Sequence, residues 1–259
     1  MIVKRLAKTI AMLTVGGLVS VSAVSSAVAQ PLPEVVNREE SEDDSSRQGL
    51  PGRRIGGGTR TDSIFRHEGE ALLALTAPEP LTITTAAYPE MLFHIPEMKT
   101  DNSAEFVLLD ASGEVIYEKV FVAERASDII SVDTADIEGA SPIGLDEDYE
   151  WYFSLVPDAA DRANDVVVHG SIRRVDPSEW LSQQSSDAQI GERIAIADPL
   201  SQAQILYKEA NLWHDAALLL NELRQNQPED SAIASEWSQL LDAAKLSNIA
   251  KFSLEIAFD

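Results

Sequence analysis

The sequence contains no cysteine among its 259 residues. This absence excludes disulfide bonds, thiol catalysis, iron–sulfur clusters and zinc sites built from thiolates. It also excludes a lipoprotein anchor, because that lipid is attached to a cysteine at the cleavage point. Any stability must therefore come from packing, hydrogen bonds and ion pairs.

Basic residues are scarce relative to acidic ones. The chain has 20 lysines and arginines against 43 aspartates and glutamates, which gives a formal net charge of −23 and an isoelectric point near 4.4. A surface of this sign repels nucleic acid phosphates and anionic membranes, so we expect no nucleic-acid partner. It suits solubility, divalent cations or a basic partner.

Motifs of catalysis and cofactor binding are missing as well. The four histidines, His67, His94, His169 and His214, show no metal-ligand spacing. The glycine cluster at Gly56–Gly58 is not followed by Gly-Lys-Ser/Thr, and no G-x-S-x-G elbow exists. The sequence predicts a non-enzyme without a cofactor; an enzyme is the least favoured alternative, since active sites assemble from distant residues.

What the sequence does contain begins with a pattern typical of a secretory signal peptide over residues 1–29. The basic start contains Lys4, Arg5 and Lys8. The stretch Thr9–Val24 is uncharged and mostly apolar, and Ala27-Val28-Ala29 supplies small residues for cleavage. A retained membrane helix is the alternative. The pattern predicts export to the periplasm, the outer envelope or beyond, without stable membrane insertion after cleavage.

Residues 30–62 are predicted to be disordered. The stretch Arg38–Arg47 is acidic and rich in serine, too polar to bury a core. The following stretch, Gly49–Arg60, is rich in glycine and arginine and is the one basic patch of the chain. We expect it to form a turn-rich lead-in that docks on the protein's own acidic surface.

Residues 63–176 show the period-two alternation and turn residues of a β-sandwich domain. The fold class predicted for the whole chain is α+β, with an antiparallel sandwich of the immunoglobulin or fibronectin kind and Greek-key connections. About eight short strands are expected: Ala71–Thr76, Leu81–Ala86, Met91–Ile95, Glu105–Leu109, Val115–Val122, Ile129–Val132, Tyr149–Val156 and Val166–Val175.

The strand Tyr149–Val156 is the densest aromatic stretch and is predicted to be central. Its odd-numbered residues should face the core, since successive side chains of a strand point to opposite faces. The residues from Ile143 to Tyr149 match the spacing of a tyrosine corner, in which the tyrosine hydroxyl bonds back to backbone upstream. Asp146 stands where that motif has glycine.

Residues 177–259 are predicted to be a helical C-terminal region, because the apolar period changes near position 176. The expected helices are Pro177–Gln184, Pro199–Ala210 capped by Asp198, Trp213–Gln225, and Ser231–Ala244 capped by Asp230, with a last turn near Asn248–Phe252. Part of the region resembles one tetratricopeptide repeat, through Tyr207, Trp213, Ala216, Leu220, Leu223 and Pro228. A lone repeat must dock on the sandwich or cap a partner's helices.

Several stretches together resemble the cyanobacterial family called domain of unknown function nine-two-eight. They are Gly49–Arg60, Leu81–Pro96 with Tyr88-Pro89, Ala104–Leu109, Asp148–Leu155, Asp161-Arg162 with Val166–Val175, and Leu206–Pro228. The resemblance implies a secreted cyanobacterial protein and no catalytic residue.

Two sets of residues are candidates for binding. Asp158, Asp161 and Asp165 follow the central strand in one loop and could supply oxygens to calcium, although the spacing matches no EF-hand. The alternative is that Arg162 pairs with a neighbouring aspartate and the remaining carboxylates are solvated. Trp180, Trp213 and Trp237 are candidate partner contacts, although ordinary helix core is the favoured interpretation for Trp213 and Trp237.

The sequence thus predicts an exported, non-catalytic protein-interaction module. Its partner would be another exported or envelope protein, bound through the helical face or a sheet edge. A calcium- or glycan-binding sandwich is the alternative.

Overall fold

The computed structural model describes residues 54–56, 64–126, 128–137 and 139–246. The predicted signal segment, the acidic stretch 38–47, most of the glycine- and arginine-rich stretch and the predicted turn at 248–252 lie outside the described residues.

Within the described residues, nine strands form two sheets. The strands are β1 Ile55–Gly56, β2 Leu72–Ala74, β3 Leu81–Thr84, β4 Glu90–Ile95, β5 Asn102–Leu109, β6 Val115–Ala123, β7 Asp128–Asp133, β8 Asp148–Val156 and β9 Val166–Arg174. One sheet has the order β1-β2-β4-β7 and the other the order β3-β9-β8-β5-β6. Each of the eight predicted strands overlaps an observed one; only β1, two residues long, was not predicted.

Between β9 and residue 246, where the described part of the chain ends, lie five α-helices: α1 Pro177–Gln184, α2 Ile190–Ile196, α3 Pro199–Lys208, α4 Trp213–Asn226 and α5 Ser231–Ala243. Asp176, Asp198 and Asp230 cap α1, α3 and α5, each carboxylate accepting hydrogen bonds from first-turn N–H groups. Helix α2 was not predicted. It is short, no side chain caps it at Gln189, and Gly191 weakens its helical signal.

The two sheets face each other across one hydrophobic core. Phe93 of β4 stacks on Phe153 of β8 with ring centroids 4.1 Å apart, and Trp151 meets Phe93 edge-on at 5.7 Å. Trp151 and Phe153 are 1% and 0% exposed. The odd-numbered face of β8 therefore lies in the core, as its alternation predicted.

The prediction of a wholly antiparallel arrangement was wrong in one place. Strand β3 pairs with β9 in parallel, from Leu81 opposite Ser171 to Thr84 opposite Arg174. The chain leaves β2 in the first sheet and enters the second through Pro78-Glu79-Pro80. Because proline has no N–H to donate to a ladder, this segment interrupts pairing and lets the chain change sheets.

The predicted tyrosine corner is present. The backbone N–H of Gly144 donates to the hydroxyl oxygen of Tyr149 at 2.9 Å, and that hydroxyl donates to Glu147 at 2.7 Å. Asp146 has a φ of 59°, in the left-handed region that favours glycine. Aspartate is among the residues that tolerate this conformation, which explains how it replaces the glycine of the motif.

The helices pack on the outer side of the first sheet. Leu75, Leu92 and Ile129 from the strand region share a second core with α3, α4 and α5. Arg54 joins the two ends of the described chain, since its guanidinium donates to the carbonyl oxygens of Thr76 at 2.6 Å and Ala244 at 3.2 Å. Burial lowers the pKa of Arg54, and nearby Glu79 opposes that shift. Among the described residues, no helix is long and apolar enough to cross a membrane.

His214 lies at the start of α4 and is 1% exposed. Burial lowers its pKa below 6.5, while Asp215 and the backbone carbonyl of Glu90 oppose the shift. That carbonyl lies close enough to act electrostatically, but neither ring nitrogen makes a hydrogen bond of good geometry within the described part of the chain. The positive end of the helix dipole also disfavours a charged imidazolium here.

We expect His214 to make the protein less stable in mild acid. Below about pH 6.5 the unfolded chain takes up a proton that the folded state does not bind, so the free energy of unfolding falls as the pH falls. The loss for one proton is at most about 1.4 kcal/mol per pH unit. Urea unfolding of the wild type and of His214→Leu at pH 7.5, 6.5 and 5.5 measures it. The variant should show a shallower pH dependence, and equal slopes would contradict the assignment.

Candidate functional site

The open edge of β6 is the first candidate site. β6 is the last strand in the order β3-β9-β8-β5-β6, so within the described part of the chain only its β5 side is paired. An unpaired edge presents a row of backbone N–H and C=O groups, which is a template for another strand. Strands that face solvent in this way are usually short or protected by charge. β6 is nine residues long and carries two charged residues, Glu118 and Lys119.

The side chains of β6 make this edge apolar. Tyr117 and Phe121 face the core, and Phe121 lies 6.2 Å from Phe153 between ring centroids. On the opposite face Ile116, Val120 and Val122 are 36%, 59% and 68% exposed. Large apolar side chains exposed in a row mark an interaction surface more often than singly exposed ones do.

The neighbouring strand β5 continues this surface. Val107 and Leu109 are half-buried, and the register places Val107 opposite Glu118 and Glu105 opposite Val120. We call the outward apolar residues of both strands the β6 face; its members are Val107, Leu109, Ile116, Val120 and Val122. Glu118 is the charged residue within it.

A charged rim borders the β6 face at Glu105. Arg162 donates to both carboxylate oxygens of Glu105, at 2.6 and 3.2 Å, and its Nε donates to Asp165 at 2.6 Å. These two carboxylates raise the pKa of Arg162, with the hydrogen bond to Glu105 the larger cause. An apolar centre with a polar rim is the usual anatomy of a protein interface.

The three aspartates proposed for calcium are not brought together. Asp158 accepts from the Ala160 N–H at 2.8 Å, and Asp161 accepts from Asn164 Nδ2 at 2.9 Å. Asp165 is engaged by Arg162, as the alternative interpretation predicted. In the part of the chain that the structure describes, no group of three or more His, Cys, Asp or Glu side chains could hold a metal ion.

The three tryptophans proposed as partner contacts belong to the helical core or its margin. Trp213 and Trp237 are 7% and 3% exposed, and Trp213 Nε1 donates to the Leu240 carbonyl at 3.2 Å. Burial therefore removes both from any surface contact. Trp180 is half-buried, and its Nε1 donates to the Ala210 carbonyl at 2.9 Å, so it anchors α1 to the helices behind it.

A second candidate is an apolar cleft of about 370 Å³. Its walls are aliphatic side chains of four helices and of the segment before α4: Leu181, Ile194, Leu206, Leu212, Leu218 and Leu219. Asp215 lies at its margin, where its carboxylate accepts hydrogen bonds from the Thr84 and Thr85 hydroxyls and the Thr85 N–H, at 2.6–3.0 Å. Three donors already satisfy this carboxylate, so it ties α4 to the end of β3.

The β6 edge offers the clearer chemistry of the two. Backbone donors and acceptors together with branched apolar side chains can take up an extended polypeptide. The walls of the cleft are mostly aliphatic, with Thr85, Gln202 and Asp215 the polar residues among them. The sequence did not reveal this face, because apolar residues alternate on both sides of β6 and the pattern does not say which side is covered.

Comparison with curated proteins finds no match for the chain. A family model described as Domain of Unknown Function (DUF928) matches residues 55–254. The match spans β1, both sheets and all five helices. The chain therefore belongs to this family, as its sequence resemblance predicted.

Proposed function

We propose that the chain is an exported, non-catalytic protein-interaction module of a cyanobacterial envelope, which binds another exported protein through the β6 edge. The observation that carries the proposal is the open edge of β6 with Val120 and Val122 59% and 68% exposed. Exposing two valines side by side costs solvation free energy of about 25 cal/mol per Å² of apolar area. A partner strand beside β6 would reduce that exposure through cross-strand contacts and would pair the backbone.

The mode of binding follows from strand geometry. An added strand forms main-chain hydrogen bonds with β6, and its alternate side chains lie beside Val120 and Val122 on the outer face. Main-chain bonds supply affinity, and the spacing of the valines favours a partner with apolar residues at every second position. The bound segment is therefore extended and amphipathic.

The fold that we propose for the strand region is immunoglobulin-like. Its support is that β2 and β3, which follow each other along the chain, lie in different sheets. In addition, β3 pairs in parallel with β9, the last strand. The tyrosine corner at Tyr149 begins the strand next to β9, where such sandwiches place it. A sandwich of this kind displays edges and loops for binding.

The helical hairpin α3–α4 is proposed to be tetratricopeptide-like. Ala216 and Leu220 are buried against neighbouring helices, as small and large positions of that repeat require. The described helices bury this unit on the strand region, which favours docking within the chain over capping of a partner.

Export is proposed from residues 1–29, which carry the pattern of a cleaved signal peptide. The absence of cysteine and the strongly acidic composition accord with a soluble exported protein. The composition also argues against a nucleic-acid partner.

We expect the double substitution Val120→Lys and Val122→Lys to weaken partner binding by about tenfold or more, because apolar anchors at the centre of an interface contribute about 2 kcal/mol or more. The measurement is photo-crosslinking in cells, with a benzoylphenylalanine placed at Lys119 and the products identified by mass. The lysines should abolish the main crosslinked product.

The matched control is Ile196→Lys, since Ile196 is 78% exposed on α2 and lies away from the β6 face. This variant should crosslink like the wild type. The proposal would be overturned if position 119 gave no protein adduct. It would also be overturned if the double variant at Val120 and Val122 crosslinked like the Ile196→Lys control.

A further inference from the structure

We infer that a small cavity beside Trp151 and Arg54 binds a monatomic anion, of which chloride is the common example. The cavity lies where the chain crosses from β2 to β3, and its walls include Arg54, Glu79, Thr82, Trp151 and Gly170. In the order β3-β9-β8-β5-β6, the strands β3 and β9 lie at the end of the sheet opposite to β6. The cavity is therefore separate from the β6 edge.

The volume of the cavity limits what it can hold. It measures about 40 Å³. One water molecule requires about 10–15 Å³ on the same measure, so the cavity admits a single ion or a few waters. An organic ligand with a chain or ring of several atoms does not fit.

The first hydrogen-bond donor in the wall is the indole N–H of Trp151. The side chain is 1% exposed, and within the described residues Nε1 has no hydrogen-bond partner. The indole edge that carries Nε1 lies against Gly170, another wall of the cavity, since a Cβ built there would lie 3.2 Å from Nε1. A buried tryptophan N–H usually has an acceptor, because an unpaired buried donor costs free energy.

The second donor is the guanidinium of Arg54. Its Nη2 donates to the carbonyl oxygens of Thr76 and Ala244, whereas its buried Nε has no partner in the part of the chain that the structure describes. Both of those acceptors are neutral, so they leave the positive charge without an ion pair. Burial lowers the pKa of Arg54, as expected for a cation taken out of water. An anion at Nε would supply the opposite charge.

The chemistry of these two groups selects the sign of the ligand. An indole N–H and a guanidinium N–H donate hydrogen bonds and cannot accept them, so neither binds a metal cation. Water can accept from both, but it does not neutralise the guanidinium. Buried charges in proteins are usually paired, which favours an anion over water.

Glu79 also lines the cavity and opposes a bound anion. It is exposed, and its charge raises the pKa of Arg54 through space, without a hydrogen bond or ion pair between the two side chains. Removing this charge should tighten the binding of an anion, because like charges at close range repel. A neutral water would respond weakly to the same change, so Glu79 distinguishes the two ligands.

Anion binding should stabilise the folded chain. Arg54 joins the end of β2 to the end of α5 through Thr76 and Ala244, and the ion would connect this arginine to Trp151 in the core strand β8. The unfolded chain lacks this arrangement of donors. A ligand that binds only the folded state raises its stability as the ligand concentration rises.

The first test measures thermal unfolding of the full chain in mixtures of sodium chloride and sodium gluconate. The ionic strength is held at about 0.3 M, so that screening of the net charge stays constant. Gluconate has a chain of several carbon atoms and does not fit the cavity. We expect the midpoint to rise with the chloride fraction and to level off as the site saturates. Bromide should act like chloride.

Three variants and a control assign the effect to this cavity. Arg54→Gln and Trp151→Phe each remove one donor and should weaken chloride binding at least about tenfold. Glu79→Gln, at an exposed position, should tighten it. The matched control is Trp237→Phe, because the indole N–H of Trp237 is also buried without a partner among the described residues, away from this cavity. Its chloride dependence should equal that of the wild type.

The measured quantity is the difference between chloride and gluconate within each variant, so a general loss of stability does not imitate the effect. Equal midpoints of the wild type in the two salts would overturn the inference. So would full chloride dependence in both donor variants, or an unchanged affinity in Glu79→Gln.

Crystals of the full chain soaked in sodium bromide locate the ion directly. Anomalous scattering should place bromide within hydrogen-bond distance of Trp151 Nε1 and Arg54 Nε. A cavity that contains only water under these conditions, or one filled by the Glu79 carboxylate, would refute the site.

Discussion

Replacing Trp151 by alanine is expected to lower the free energy of unfolding by about 3–5 kcal/mol. Trp151 is 1% exposed, and it packs edge-on against Phe93 at the centre of the core between the sheets. Its removal leaves a cavity that neighbouring side chains fill only in part, because they are held in two sheets at fixed spacing. Urea unfolding followed by circular dichroism measures the change.

The position of the Trp151 side chain also explains why residue 170 is a glycine. Gly170 lies opposite Trp151 in the β8–β9 ladder, and a Cβ at Gly170 would lie 2.6 Å from Cζ2 of the indole. Gly170→Ala should therefore cost about 1–3 kcal/mol in the wild type, the usual range for an overpacked core. In the Trp151→Ala background the added methyl has room, and the cost should be close to zero or favourable.

Gly191→Ala is the matched control for this cycle. A Cβ there would lie 3.8 Å from Leu181 Cδ1, an ordinary contact, and alanine favours the helical conformation of α2. This change should be neutral or stabilising by up to about 1 kcal/mol. If the effects of Gly170→Ala and Trp151→Ala simply added, the close approach of the two residues would not be the reason for the glycine.

Asp215→Ala is expected to cost about 1.5–3 kcal/mol, because hydrogen bonds to a charged acceptor are stronger than neutral ones. The carboxylate accepts from both threonine hydroxyls and from the Thr85 N–H, and these bonds join α4 to the end of β3. It also lies in the first turn of α4, where the helix dipole favours a negative charge. Thermal and urea unfolding would both report the loss.

Two variants separate the hydrogen bonds from the charge. Asp215→Asn keeps an acceptor oxygen and should cost less than alanine, and Thr85→Val removes one hydroxyl donor to the carboxylate and should cost about 1 kcal/mol. Combined with Asp215→Ala, Thr85→Val should add little, because the hydroxyl's partner is already gone. Full additivity of these two changes would contradict a shared hydrogen bond.

Much of the fold could be predicted because its signals are local. An aspartate before a helical period predicted the starts of α3 and α5, and alternation in β8 identified the buried face. The tyrosine corner forms with aspartate at position 146 because a short polar side chain tolerates a positive φ. These features depend on neighbouring residues in the chain and need no knowledge of distant contacts.

The candidate site could not be predicted in the same way. Alternation is the same in parallel and antiparallel strands, so it did not reveal the pairing of β3 with β9. Nor could it show that Val120 and Val122 would be left in solvent. Exposure depends on which element packs on which, and that information lies in tertiary contacts.

The parallel pairing of β3 with β9 also determines how the sheet resists a pulling force. Tension that enters at the amino end of β3 and leaves at the carboxyl end of β9 acts in opposite directions along two parallel strands. The four residue pairs from Leu81 to Thr84 are then sheared together, whereas a hairpin pulled at one end opens one pair at a time. β3 therefore resists the separation of β9 through all four residue pairs at once.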